Sequence, residues 1–275
     1  MLKKRLITAA VLIPVFVALI LKLPINGFIA LTSIFTMLGA WEWSRLIGLK
    51  LPLPRLCYPV VVYGVMSFPV YLTIQWVVLG ALLFWLIALF LVVRYPKSSQ
   101  SWSKSMFLRG LMGCMVFIPT WRGLNYLRAT DIFGAGNGPY IVLFIFVLIW
   151  CADSGAFFAG KLWGKNKLAP AVSPGKTWQG FIGAIVCALI LAPALLWLIP
   201  TPQPSIMILT ALSVVTVAFS VLGDLFESML KRNVDLKDSG GLFPGHGGLL
   251  DRVDSLTAAV PIFTLGCLLM LKMFH

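Results

Sequence analysis

The sequence predicts an all-α polytopic integral membrane protein with about nine transmembrane helices, and three observations carry that prediction. Mean hydropathy is +0.96. Of the 275 residues, 60% are hydrophobic and only 11% are charged. Apolar stretches long enough to cross a bilayer, which takes about 20 helical residues, recur along the whole chain. Together these exclude a soluble globular domain. A segment in hydrocarbon must satisfy its own backbone groups, and a helix does so.

The predicted spans fall near 6–22, 27–44, 57–72, 75–93, 106–120, 139–158, 179–199, 205–222 and 255–272. The first follows Met-Leu-Lys-Lys-Arg and resembles a signal sequence, but no small-residue cleavage site follows it, so it reads as a retained span. Pro14, Pro69, Pro119 and Pro193 interrupt spans, which helices in bilayers tolerate. Residues 1–138 form an N-terminal region of about five spans with short loops. Residues 139–275 form a C-terminal region with two long polar stretches, 159–178 and 223–254.

Basic residues set the orientation. With nine spans and a cytoplasmic N-terminus, eighteen of the twenty-two Lys and Arg residues fall inside, and only Lys22, Arg122, Arg128 and Lys272 fall outside. That split follows the positive-inside rule and places the C-terminus outside. The net charge of +13 is therefore mostly a signal of the cytoplasmic face, spread over several loops, and gives no ground for nucleic-acid binding. Cys57, Cys114, Cys151, Cys187 and Cys267 are isolated, without metal-type spacing, and read as small apolar fillers. No internal repeat is visible.

Carboxylates are concentrated where the polar stretches are: seven of the nine lie between Asp153 and Asp254. Asp153 sits inside an apolar run, where a charge costs about 2.5–3.5 kcal/mol even on insertion scales. It must be paired, solvated by a cavity or bound to a cation, and neighbouring Ser154, Gly155 and Gly160 suit a cavity wall. A salt bridge locking two helices is the competing reading. Asp224, Glu227, Ser228 and Lys231 are spaced to share one face of a helix that continues out of the eighth span. An amphipathic helix end at the membrane surface would look the same.

The stretch KDSGGLFPGHGGLLDRVDS, 237–255, then breaks regular structure with glycines and leads into the ninth span. Asp251 and Asp254 lie on one face of its first turn, where dipole complementarity alone would justify one acid. Two acids there, with Asp224 approaching from the preceding helix, look more like ligands for a hard divalent cation such as Mg²⁺. In the other polar stretch, Lys161, Lys165, Lys167 and Lys176 alternate with Gly, Pro and Ser and suit phosphate binding. Gly175-Lys176-Thr177 does not complete a P-loop: the first glycine would fall on Pro170, and no strand is expected before it. A phosphate-binding loop, metal-binding carboxylates and a lipid-facing body on the cytosolic side point to phosphoryl or nucleotidyl transfer onto a lipid.

SMLKRNVDLKDSGGLFPGHGGLLDRVDS, 228–255, resembles the signature of the phosphatidate cytidylyltransferases, the CDP-diacylglycerol synthases. DSGAFFAG, 153–160, and KLAPAVSPGKTWQG, 167–180, resemble two further motifs of that family in the same order. Gln179 departs from it, since many members have Glu there. The resemblance implies transfer from CTP to phosphatidic acid, giving CDP-diacylglycerol and pyrophosphate with Mg²⁺ and room for a second cation. It implies Asp224 and Asp251 as the foremost metal ligands, with Asp254 and Asp153 next. Lys237, Asp238 and His246 join the catalytic set, His246 either donating to pyrophosphate or holding the glycine loop. Lys167, Ser173, Lys176, Thr177, Lys231, Arg232 and Arg252 are expected to bind CTP or the lipid phosphate. Glu227 and Asp235 are expected to be surface partners of nearby basic residues.

Membrane lipids are the other partners, a homodimer is the assembly the resemblance allows, and the expected location is a bacterial inner membrane with the site facing the cytoplasm. Two alternatives stay open at this point. A CTP-dependent polyprenol-type lipid kinase would release CDP instead of pyrophosphate. An ion-coupled transporter would use Asp153 and broken helices, but its repeats are lacking. The DGxxAR core of CDP-alcohol phosphotransferases is absent.

Overall fold

A computed structural model describes residues 13–67, 73–132, 134, 136–196, 205–241 and 247–274. Helices dominate it: α1 (Ile13–Lys22 in its described part), α2 (Ile25–Ile47), α3 (Pro52–Ser67), α4 (Ile74–Val93), the short α5 (Ser99–Trp102) and α6 (Met106–Ala129). After these come α7 (Gly138–Trp163), α8 (Trp178–Leu195), α9 (Ile206–Asn233) and α10 (Leu250–Phe274). Four of them, α4, α7, α9 and α10, are long and apolar enough to cross a membrane. The chain is built as an integral membrane protein.

Helix α4 shows how the apolar sequence is divided between protein and lipid. It is apolar all round, so periodicity cannot choose its inner face. Packing does: Val78, Ala81, Trp85, Ala88 and Val92 are buried at alternating steps of three and four, while Trp76, Leu83, Ile87 and Phe90 stay exposed. Phe84 and Trp85 meet Phe226 of α9 edge-on, with ring centroids 5.5 and 5.6 Å away. Helices α7 and α8 approach through small residues instead. A Cβ on Gly183 would stand 2.5 Å from Ala159 Cβ, and one on Gly155 would run into Cys187 Sγ. Without a hydrophobic drive between helices in lipid, such close backbone approach is what holds them.

Two apolar cores result. One gathers Phe28, Phe144, Ile145, Leu148, Ala259 and Phe263, and the other Trp43, Trp85, Phe226, Met229 and Leu250. Polar cross-links reinforce them: Trp43 Nε1 donates to Arg109 O at 2.9 Å, and Thr120 Oγ1 donates to Thr257 O at 2.9 Å.

The polar stretch 159–178 is more ordered than the loop expected from its glycines and prolines. Helix α7 runs on to Trp163, and the strands β1 (Lys167–Ala169) and β2 (Ser173–Thr177) then pair antiparallel. Lys167 faces Thr177, and Ala169 faces Ser173. The all-α architecture stands, and the hairpin replaces the loop expected at 159–178. One of the two grounds against a P-loop falls with that loop, because β1 ends at Ala169, directly before position 170, although Gly175-Lys176-Thr177 then lies in strand β2 and not in a loop. The other ground, Pro170 at the first glycine position, holds.

Candidate active site

The hairpin delivers Lys176 to α9 at Asp224, on the helix's C-terminal half. Its ammonium lies 2.5 Å from Asp224 Oδ2, and both side chains are partly exposed. Around this pair opens a cavity of about 440 Å³, lined by Asp153, Lys161, Lys176, Thr177, Asp224 and the small Gly160 and Gly180. Asp153 thus faces a polar cavity, as its apolar surroundings in the sequence required. It lies within electrostatic reach of Lys176 and Asp224. Thr177 is committed otherwise: it caps α8, its hydroxyl oxygen accepting from Gly180 N at 3.1 Å.

Asp254 on α10 faces the same charges, Asp224, Lys176 and Lys231 among them, and accepts from Ser255 N at 2.7 Å. Asp251, three residues earlier, does different work. Its carboxylate accepts from Lys231 Nζ at 2.7 Å, Ser239 N at 3.0 Å and Gly248 N at 2.8 Å. Those bonds tie both ends of the 239–248 segment to the start of α10. Lys231 also lies 3.1 Å from Glu227 Oε1.

Glu227 corrects an expectation. It is 2% exposed and so no surface partner. The spacing 224, 227, 228, 231 gives one helix face, and α10 covers that face, so Glu227, Ser228 and Lys231 are all buried. One buried ammonium thus serves two carboxylates.

Other expected residues lie further out. Lys167 is exposed at the base of the hairpin, and Ser173 begins β2 half-buried. Arg232 Nε donates to Val172 O at 3.4 Å, bracing the hairpin turn. Lys237, Asp238, Arg252 and Asp235 are exposed. His246 lies outside the described residues. Gln179 turns away from the cavity, its Oε1 accepting from Lys165 N and Asn166 N at 3.2 and 3.3 Å.

Sequence reasoning passed over Glu42. This α2 residue, 5% exposed, accepts from Ser239 Oγ at 3.1 Å, Leu249 N at 3.0 Å and Leu250 N at 2.8 Å. Gly240 and Gly248 press so closely on it that a Cβ on either would overlap its side chain. Arg45, one turn on, donates to Ser239 O at 3.0 Å. The only signal available was an acid in a half of the chain that holds just one other, Asp131.

Among the described residues, no three His, Cys, Asp or Glu side chains gather closely enough to hold a metal by themselves. The donors still suit Mg²⁺, which is commonly held by one or two carboxylates with substrate phosphates completing the shell. The hard oxygens of Asp224 and Asp254 meet that need, and an ammonium already sits against Asp224.

The model of the cytidylyltransferase family matches residues 3–270. The chain belongs to the cytidylyltransferase family. Within it, a phosphatidate cytidylyltransferase of Haemophilus influenzae is 42% identical, covering 96% of this chain and 98% of its own length. One from Pseudomonas aeruginosa is 41% identical, covering 96% of each chain. One from Staphylococcus saprophyticus is 31% identical over 64% of this chain and 75% of its own.

Proposed function

We propose that this cytidylyltransferase makes CDP-diacylglycerol and pyrophosphate from CTP and phosphatidic acid, for phospholipid synthesis. The observation that carries the site assignment is the Lys176–Asp224 pair in a polar cavity set between membrane-directed helices. Triphosphate and lipid headgroup can meet there without either leaving its own medium.

A phosphate-monoester oxygen of phosphatidic acid attacks the α-phosphorus of CTP. The new P–O–P bond forms as the bond from that phosphorus to the bridging oxygen of pyrophosphate breaks. The second pKa of such a monoester is about 6, so the nucleophile is ionised at neutral pH and needs no strong base. The protein's task is then positioning and charge compensation. Lys176 and Lys161 present ammonium groups to phosphate oxygens inside the cavity. Glu227 and Asp251 hold Lys231 in place, and Asp251 fixes the glycine-rich segment that leads to Asp254.

Asp224 and Asp254, with Asp153 beside them, would hold Mg²⁺; bound there, it neutralises charge on the triphosphate and the leaving pyrophosphate. Lys237, Asp238, Arg232, Arg252 and His246 remain assigned to the substrate-facing surface by the motif they share. Nine crossings, with the N-terminus and this site cytoplasmic and the C-terminus outside, place the lysines on the side where CTP is found. The cytoplasmic face of a bacterial inner membrane is the proposed location, and a homodimer the proposed assembly.

Purified protein given labelled CTP, phosphatidate and Mg²⁺ tests this reading. The expected products are pyrophosphate and a labelled liponucleotide in equal amounts. Release of CDP with a phosphorylated lipid would replace it with the kinase reading.

A further inference from the structure

A second and larger recess adjoins the polar cavity. Its volume is about 610 Å³, within the range of small-molecule pockets. It lies between the end of α4, the hairpin turn, the start of α8 and the middle of α9; Val92, Val172, Phe219 and Leu222 are among its walls. No charged side chain lines it. Leu168, Phe181 and Val221 line both spaces, so one wall separates the apolar recess from the cavity that holds Lys161, Lys176 and Asp224.

Its direction can be read along α9. Ala218 lines the recess and Asp224 the polar cavity, six residues later on the same helix, which is about 9 Å at 1.5 Å per residue. Tyr95 and Trp178, at the end of α4 and the start of α8, also line the recess. Such rings favour the headgroup level of a bilayer. The recess therefore starts at that level beside the polar cavity, at Leu225, and continues down the apolar part of α9 to Ala218, past Val221, the α9 residue that both spaces share.

We propose that this recess takes the first part of an acyl chain of phosphatidate while the phosphate lies against Lys176 in the neighbouring cavity. The paired compartments match a phosphate joined through glycerol to hydrocarbon. Arg232, donating to Val172 O, steadies the hairpin turn that forms part of the recess wall. This rests on the proposed activity and adds to it a residue set for chain recognition, centred on Ala218, Phe219 and Leu222.

Ala218→Phe fills the recess without altering the polar cavity. Its KM for dioctanoyl phosphatidate should rise about tenfold, while the KM values for dibutanoyl phosphatidate and CTP stay within about twofold. Equal changes for both chain lengths, or none for either, would overturn the proposal. A second measurement uses the unaltered protein: phosphatidate carrying a diazirine on the sixth acyl carbon, followed by peptide mapping. Label should fall on the 168–172 turn and the 218–225 part of α9, and excess phosphatidate, but not phosphatidylcholine, should compete it away. Label elsewhere, or equal competition by both lipids, sinks the recess. Neither result touches the reaction itself, which fails only if the unaltered protein makes no liponucleotide from any phosphatidate.

Discussion

The Glu42 carboxylate accepts the backbone N–H of Leu250 at 2.8 Å, so a residue of α2 caps the first turn of α10 from 208 positions away. The same carboxylate takes the N–H of Leu249 and the hydroxyl of Ser239. Glu42, with Asp251 and Arg45, thereby anchors the two described ends of the glycine-rich segment, at Ser239 and at 248–250, and with them the place of Asp254.

Removing Glu42 should cost both stability and rate. A hydrogen bond to a charged group is worth about 1.5–3 kcal/mol, and a buried donor left unpaired costs a similar amount. Glu42→Ala is expected to lower the melting temperature in detergent and to reduce kcat more than tenfold. Glu42→Gln keeps one acceptor oxygen and should fall between that variant and the parent. Circular dichroism melts and pyrophosphate release check both; a Glu42→Ala enzyme with unchanged kcat would refute a positioning role.

Much of this was legible in the sequence, for physical reasons. Spanning segments announce themselves by hydropathy, and the spacing of Asp224, Glu227, Ser228 and Lys231 correctly gives a helix continuing past the apolar run. That spacing cannot say what covers the face, so the burial of Glu227 beneath α10 was missed. The hairpin was missed because Gly and Pro are poor strand formers, and two strands of three and five residues give almost no period to read. Glu42 was out of reach for another reason: its partners are 197 to 208 residues distant, and no local pattern carries such a contact.

Lys231 lies between Glu227 and Asp251, at 3.1 and 2.7 Å. Breaking a buried pair by removing one partner typically costs about 3–5 kcal/mol, whereas replacing the pair with apolar groups can be nearly neutral. Lys231→Met alone should therefore destabilise strongly, and adding Glu227→Leu should restore part of the melting temperature. The double variant should stay inactive if Lys231 also serves substrate phosphate. Full recovery of turnover would reduce Lys231 to a structural ion.

The Lys176–Asp224 pair predicts non-additive kinetics. Loss of one preorganised charge-stabilising group commonly costs about 10²–10³ in kcat. Lys176→Gln and Asp224→Asn should each fall in that range, and the double variant should lose no more than about tenfold further. Fully multiplicative losses in steady-state assays would show the two acting separately.

Removal of divalent cation should abolish turnover, and Mg²⁺ should restore it. Asp224→Asn and Asp254→Asn should each raise the Mg²⁺ concentration needed for half-maximal rate about tenfold or more. A titration curve unchanged in either variant would remove that residue from the metal site.

Gln179 stands where many family members have Glu, and its position says what the exchange should do. The side-chain oxygen accepts two adjacent N–H groups, Lys165 N and Asn166 N, and does not line the polar cavity. Either an amide or a carboxylate can accept two such donors. Gln179→Glu should therefore leave kcat and the Mg²⁺ requirement within about threefold of the parent. Gln179→Leu keeps the bulk but loses the acceptor, freeing the 165–166 link between α7 and β1. Its effect should appear as a raised KM for CTP, because the loosened hairpin carries Lys176. A large change in Mg²⁺ dependence on Gln179→Glu would place residue 179 at the metal after all.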